Sequence, residues 1–273
     1  MRLINGQAAE RLDLSDRAFQ FGDGVFRTFY QRDGKVPFLQ RHLAKLRADA
    51  LALGITAPAD EVWLADLRQI GSQNATLKLI LTRGETPRGY VYPADLHPNR
   101  IVQSAPLPTA RLWEAEGAEV RICETRAGWQ PRLAGIKHLN RLENVLARAE
   151  WQDPTLFEGL LLDRDNHVIE GCMCNVLMLE NGQLVTPLLD GAGVAGVMRS
   201  VVMNAAQQLG WSVAEERITL PRLLEAQRVW LSNSLIGLVP VGALAGVRWP
   251  VHEADAELYA AIGIINSKES FTL

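Results

Sequence analysis

The sequence predicts an α/β (α+β) protein of two domains, and three observations carry that expectation. Strand-like and helix-like patterns alternate over residues 1–105; a proline-bearing segment, Pro106-Leu107-Pro108-Thr109-Ala110, follows; beyond it short strands predominate. The expected division is a smaller N-terminal domain at 1–105, a linker at 106–116 and a larger C-terminal domain at 117–273. With 273 residues, 48% of them hydrophobic, the chain is long enough for one large or two modest cores.

Leu3-Ile4-Asn5-Gly6 reads as a short strand entering a turn, and Ser15-Asp16-Arg17 as a capped helical turn before Ala18-Phe19. After Phe21-Gly22-Asp23-Gly24 comes a strand whose alternation sends Phe26, Thr28 and Tyr30 to one face and Val25, Arg27 and Phe29 to the other. Asp33-Gly34 predicts a hairpin with Val36 to Leu39 as the returning strand. Residues 41–53 predict a helix burying Leu43, Leu46, Ala50 and Leu53, and a second helix is expected from Glu61 to Gly71. A strand from Thr76 to Thr82 then leads into a turn-rich loop, Arg83 to Tyr90, and a strand from Arg100 to Ala105 closes the first half.

In the second half, strands are expected at Glu119 to Cys123, Gly159 to Asp163, Val168 to Gly171, Asn175 to Leu179, Leu184 to Thr186, Ser212 to Ile218 and Val229 to Leu231. Asp163-Arg164-Asp165-Asn166 and Glu180-Asn181-Gly182 read as hairpin turns, and the clearest helices as 198–209 and 254–265. Gly191-Ala192-Gly193-Val194-Ala195-Gly196, with Glu215 and Glu216 downstream, has the form of a dinucleotide fingerprint, which would suit an oxidoreductase. It follows Pro187-Leu188-Leu189-Asp190 rather than a clean buried strand, and no repeated βαβ halves surround it. What remains is a glycine loop feeding a helix N-terminus near Val197 and Met198, whose N–H groups and dipole suit one phosphate.

Lys137 stands between Gly135-Ile136 and His138-Leu139. Leu139, Leu142, Leu146 and Ala149 recur at helical spacing, which predicts a helix with one buried face and Lys137 just before its first turn. Apolar neighbours disfavour the charged amine and make its neutral form a usable nucleophile or base, as Schiff-base chemistry needs. The other lysines have plainer explanations: Lys35 in a turn, Lys45 on a helix, Lys78 in an alternating strand and Lys268 in a polar tail. Spacing alone leaves Lys137 between a catalytic amine and a solvated residue at a helix start.

Net charge is −3 and mixed along the chain, giving no footprint for nucleic acid or anionic membrane; a small-molecule substrate fits better. Cys123, Cys172 and Cys174 lack CxxC spacing, and Met1 to Gly6 shows no apolar secretion segment, so a reduced, cytoplasmic protein is expected. The five histidines are scattered and no metal site is expected.

The string from Gly135 to Leu146, GIKHLNRLENVL, resembles the lysine motif of the 4-amino-4-deoxychorismate lyases. These belong to the fold-type IV pyridoxal-phosphate (PLP) enzymes, with the branched-chain and D-amino-acid aminotransferases. Ser15 to Phe29 resembles the N-terminal signature of the same enzymes, and the likeness runs from about Ile4 to Val241.

The resemblance implies a two-domain fold-type IV enzyme with PLP at the domain interface, a homodimer, and conversion of 4-amino-4-deoxychorismate to 4-aminobenzoate and pyruvate. It implies that Lys137 holds PLP, that Glu170 bonds its pyridine nitrogen, and that the phosphate is held by backbone N–H groups of Val197 and Met198 with Asn233 and Ser234. Lys45 stands where these enzymes carry a phosphate-binding arginine, but lacks the bidentate fork. Arg88 and Tyr90 fall where D-amino-acid aminotransferases grip the substrate carboxylate. Phe26, sharing a strand face with Thr28, falls near a tyrosine of the aminotransferases; its missing hydroxyl favours a lyase over an aminotransferase.

Overall fold

A computed structural model describes residues 1–108, 117–250 and 252–273. The expected linker at 106–116 lies, from residue 109 onward, outside the described residues. The chain forms two compact units: Met1–Thr109 with Ile136–Asn140 and Glu269–Leu273, and Ala110–Gly135 with Arg141–Lys268.

The first unit contains β1 (Arg2–Ile4), β2 (Gln7–Ala8), α1 (Arg17–Phe21), β3 (Gly24–Gln31), β4 (Lys35–Val36), α2 (Leu39–Ala52), α3 (Asp60–Ile70), β5 (Ala75–Thr82) and β6 (Arg100–Ala105). Its five-stranded sheet, in the order β2-β1-β6-β5-β3, is antiparallel throughout. The two-residue period of β3 holds: Val25, Arg27 and Phe29 are buried, whereas Phe26, Thr28 and Tyr30 are half-buried. The buried face packs with Leu77, Leu79 and Leu81 of β5 against Leu39, Leu43 and Leu46 of α2 and Trp63 and Leu67 of α3. Each such leucine contributes roughly 1.5–3 kcal/mol relative to exposure.

The returning strand expected at Val36 to Leu39 is cut short. Only Lys35–Val36 is extended, and it pairs with the C-terminal strand Phe271–Thr272. Phe38 adopts a left-handed φ of 55° and α2 begins at Leu39, so the chain turns into a helix before a hairpin can lengthen.

The second unit contains β7 (Ala118–Ile122), α4 (Leu142–Arg148), β8 (Leu156–Leu162), β9 (His167–Gly171), β10 (Asn175–Glu180), β11 (Gln183–Pro187), α5 (Val197–Gln208), β12 (Ser212–Glu216), β13 (Ile218–Thr219), α6 (Leu220–Leu224), β14 (Arg228–Asn233), β15 (Gly237–Leu244), β16 (Val247–Arg248) and most of α7 (Glu253–Glu269); β17 (Phe271–Thr272) ends the chain in the first unit. A mixed sheet runs β12-β11-β10-β14-β15-β7-β8-β9-β13, with β16 on β15. Its core is rich in valine, leucine and isoleucine, including Val176, Val185, Leu231 and Val239. β15 is a full strand although Pro240 and Gly242 interrupt its pattern: Pro240 pairs with Trp230, and the register slips between Val241 and Ala243. Among the described residues no helix is long and apolar enough to cross a membrane.

The helix expected to bury Leu139, Leu142, Leu146 and Ala149 is reversed. α4 starts only at Leu142; Leu142, Val145 and Leu146 are exposed at 70%, 60% and 55%, Ala149 is exposed, and Ala147 is the buried residue. Polar side chains turn inward instead, because they satisfy backbone groups there. Glu143 accepts from the Gly128 N–H at 2.7 Å, and the Asn144 amide donates to the Cys172 carbonyl at 3.1 Å.

Candidate active site

Lys137 is presented by an extended segment rather than a helix start. β3 is an edge strand, and residues 136–140 pair along it: the Phe26 N–H donates to the Lys137 carbonyl, and the Leu139 N–H to the Gly24 carbonyl, both at 3.0 Å. Ile136 is buried in the core of this unit, which anchors the segment on one side of the lysine. The Lys137 amine then lies 4.7 Å from the centre of the Phe26 ring.

The Gly22-Asp23-Gly24 motif makes room for this segment. A Cβ on Gly24 would come within 2.8 Å of the Leu139 side chain and 2.5 Å of the Leu81 carbonyl oxygen. Gly22 has a left-handed φ of 63° and accepts at its carbonyl from the Asn140 amide, 3.0 Å away. Asp23 accepts from Arg17 and Arg83, each at 2.8 Å. Asp16 caps α1 through the Ala18 N–H and accepts from Thr82 and Asn99. The glycines and carboxylates thus fix the start of the strand that carries Phe26 and Thr28.

Behind that strand lies a charge cluster around Asp49 of α2. Its carboxylate, 2% exposed, pairs with Arg27 and Lys45 and accepts from the Lys137 backbone N–H at 3.0 Å. Burial weakens the charges of both Arg27 and Lys45, and Asp49 offsets part of that effect. His42 is buried beside Phe29, and burial, then the charges of Arg27 and Lys137, push its pKa down to about 3. His42 is therefore neutral near pH 7, and Arg27 and Lys45 share the single carboxylate of Asp49. The cluster favours an anion nearby.

In the second unit, Glu170 on β9 is 5% exposed and accepts from the Val194 N–H at 2.7 Å. The glycine loop holding Val194 is strapped in place. Gln130 N–H donates to the Gly191 carbonyl, Gly135 N–H to the Gly193 carbonyl, and Ala195 N–H to the Gly135 carbonyl. Glu158 fixes the turn between Glu170 and Asn175: fully buried, it accepts from the N–H groups of Gly159, Cys172 and Met173 at 3.0–3.1 Å. Burial pushes its carboxyl up, against the pull of those donors.

α5 begins at Val197, and among the described residues no side chain caps it. A Cβ on Gly196 would lie 2.2 Å from Asn175 Oδ1, so the glycine permits close approach just ahead of the free N–H groups. Opposite Asn175 on β14, the Ser232 hydroxyl is buried with no hydrogen-bond partner among the described residues. A bare helix N-terminus and an orphaned hydroxyl fit the phosphate of a cofactor. Asn233 folds its own turn, accepting from the N–H groups of Leu235 and Ile236, which holds Ser234 half-buried between them.

The GxGxxG stretch does follow a buried strand, contrary to expectation: β11, α5 and the parallel β12 make one βαβ unit. Leu188 to Asp190 separate strand from glycines, β12 is at the sheet edge, and the loop carbonyls of Gly191 and Gly193 are engaged, unlike a dinucleotide turn.

Arg88 and Tyr90 are both exposed, Tyr90 at 84% with its ring against Phe21. The sequence motifs pass over Arg27, Asp49 and Glu158. Arg27 is signalled by its place on the apolar face of an alternating strand, and Asp49 by standing four residues after Lys45 on a buried helix face. Glu158 has no such signal, because its partners come from β9 and the turn after it.

The model of the family described as amino-transferase class IV matches residues 24–244. The chain is similar to an aminodeoxychorismate lyase of Vibrio harveyi, 36% identical over 255 residues, 92% of this chain and 93% of the relative. It is also similar to a D-alanine aminotransferase of Bacillus licheniformis, 29% identical over 253 residues, 89% of this chain and 88% of the relative. Among solved structures it resembles 4-amino-4-deoxychorismate lyase from Pseudomonas aeruginosa, with a TM-score of 0.91 and 40% identity over 95% of this chain and 97% of that one. With a lysine on the edge of β3, a buried glutamate on β9 and a helix N-terminus behind a glycine loop, this chain belongs to the amino-transferase class IV family.

Proposed function

We propose that the protein is a PLP-dependent lyase that converts 4-amino-4-deoxychorismate to 4-aminobenzoate and pyruvate. The observation that carries the reading is the Lys137 amine held over the ring of Phe26, a residue without a hydroxyl. Similarity to the lyases of Vibrio harveyi and Pseudomonas aeruginosa, at 36% and 40% identity, supports it. PLP, when bound, supplies an electron sink for charge developing beside a captured amine.

Lys137 would hold the cofactor through its amine and, as a free amine, would remove the proton from the ring carbon that carries the substrate's amine. The bond from the adjacent ring carbon to the enolpyruvyl oxygen breaks, and the ring becomes aromatic. Lys137, now an ammonium, returns a proton to the methylene carbon of the departing group, which completes pyruvate. Glu170 keeps the pyridine nitrogen protonated. Val197 and Met198 N–H groups, with Asn233 and Ser234, bind the phosphate. Lys45 adds positive potential from its pair with Asp49, and Arg88 and Tyr90 bind a substrate carboxylate.

Release of 4-aminobenzoate by the purified, PLP-loaded protein given aminodeoxychorismate tests the reading. Rapid, complete half-transamination with D-alanine and no 4-aminobenzoate would replace it by an aminotransferase.

Glu170→Gln is expected to retain PLP but to lower kcat by about 10- to 1000-fold, since a neutral amide no longer favours the nitrogen proton. Absorbance and kcat measured together check this; an unchanged pair of values would remove Glu170 from the cofactor.

A homodimer belongs to the same proposal, as does a division into domains at 1–105 and 117–273 joined by 106–116. The exposed Leu142, Val145 and Leu146 of α4 form an apolar face suited to a second copy. Leu146→Glu is expected to shift the protein from dimer to monomer in light scattering; a dimer of unchanged affinity would move the interface elsewhere. A cytoplasmic location is proposed on three buried cysteines that form no disulfide.

A further inference from the structure

The loop that carries Arg88 and Tyr90 is anchored unevenly. Its first part is tied by backbone to the chain around the start of α1: the Thr86 N–H donates to the Ser15 carbonyl at 3.0 Å, and the Arg17 N–H to the Gly84 carbonyl at 2.9 Å. Beyond that point, among the described residues, no backbone–backbone hydrogen bond holds Pro87 to Tyr92. Gly89 turns the chain between Arg88 and Tyr90 with a φ of 90°, a conformation that residues with a side chain rarely adopt.

One guanidinium holds that stretch. Arg17 donates through Nη1 to the Gly89 carbonyl at 2.9 Å and to the Thr86 hydroxyl at 3.1 Å, and through Nη2 to the Tyr90 carbonyl at 3.2 Å. Its Nε donates to Asp23 at 2.8 Å, and the residue is 3% exposed. Rings pack around it: its guanidinium lies 4.8 Å from the centre of Phe21 and 5.3 Å from that of Tyr92, while the Tyr90 ring lies 5.3 Å from Phe21. At the far end of the same link, Asp23 precedes Gly24, whose carbonyl accepts from Leu139 in the segment that presents Lys137.

Charge balance alone does not require this arrangement. Asp23 also pairs with Arg83 at 2.8 Å, so its carboxylate keeps a cation without Arg17. What Arg17 adds is its shape: a planar fork of N–H groups meets a carboxylate, a hydroxyl and two carbonyls at once, which the single ammonium of a lysine does not reach. A loop ordered in advance loses less freedom when substrate arrives, so its side chains bind more tightly.

We propose that Arg17 is a positioning residue for substrate binding, whose guanidinium sets the backbone at Gly89 and Tyr90 and thereby aims Arg88 and Tyr90 at a carboxylate. The assignment rests on the lyase reading, in which those two side chains bind the substrate. Arg17 touches neither substrate nor cofactor in this role and acts only through the loop. Its removal should therefore weaken binding and leave the chemical step alone.

The test uses the PLP-loaded protein and Arg17→Lys, which keeps the charge beside Asp23 and removes the fork. KM for aminodeoxychorismate is expected to rise about 10-fold, the effect of weakening one hydrogen bond to a charged group, with kcat, the absorbance of bound PLP and the melting temperature near those of the wild type. Gly89→Ala approaches the same anchorage from the exposed loop, leaves the buried pair untouched and should raise KM likewise; it decides the matter if Arg17→Lys does not fold. In a protein already carrying Arg88→Ala and Tyr90→Phe, Arg17→Lys should lower kcat/KM by less than about 2-fold, because the side chains it aims are gone. A wild-type KM in folded Arg17→Lys, a loss confined to kcat, or an undiminished penalty in the Arg88→Ala, Tyr90→Phe background would each overturn the Arg17 assignment alone. Absence of 4-aminobenzoate release by the wild type would overturn the lyase reading, and this assignment with it.

Discussion

Lys137→Ala is expected to abolish release of 4-aminobenzoate while leaving the fold intact. The segment around Lys137 is held by its backbone: the carbonyl accepts from Phe26, the N–H donates to Asp49, and Ile136 is buried. None of these contacts uses the amine, so alanine preserves them. The amine itself carries two duties in the proposed reaction, attachment of the cofactor and both proton transfers. Loss of the acid–base duty alone lowers a rate by roughly 100- to 10,000-fold, and loss of attachment adds to it. Borohydride treatment of the PLP-loaded wild type should mark the peptide containing Lys137, and the variant should stay unmarked. A variant with near-normal kcat would remove Lys137 from the chemistry whatever the fate of the label.

What the sequence made legible follows from which signals are local. The alternation of β3 placed Val25, Arg27 and Phe29 on the buried face because a strand has a two-residue period, and that period survives in any sheet. The start of α5 could be read from glycines preceding a helical pattern. Periodicity on α4 misled, because it reports that one face is apolar and not that the same chain covers it: Glu143 and Asn144 face inward to serve backbone groups, and Leu142 and Leu146 face out. β15 was hidden by Pro240 and Gly242, which its register slip accommodates. Val36 to Leu39 was misread because the partner of β4 is the distant Phe271–Thr272. Asp49 shows in the sequence only its spacing from Lys45: it joins α2, β3 and the Lys137 segment, and no window of sequence contains all three.

That buried junction carries the largest expected effect on stability. Asp49→Ala removes the carboxylate that pairs with Arg27, whose side chain is 3% exposed. Burial already disfavours the guanidinium charge, and without Asp49 its hydrogen bond to the neutral Lys45 carbonyl, at 3.3 Å, leaves that charge uncompensated. Breaking a buried pair from one side costs about 3–5 kcal/mol, since the remaining charge is left uncompensated. Lys45 adds less, because its side chain is 26% exposed and water can take over from the carboxylate. The Lys137 N–H also loses its acceptor, so the catalytic segment should loosen along β3 and PLP affinity should fall with stability. The double variant Arg27→Met with Asp49→Leu separates the two effects. Removing both charges together should recover much of the lost stability, while PLP affinity stays low because the Lys137 N–H remains without its carboxylate. Denaturant melts of the PLP-free protein and PLP titrations, run on both variants, read the two quantities independently. A melt of Asp49→Ala that matches the wild type would show that the junction does not hold the first unit together.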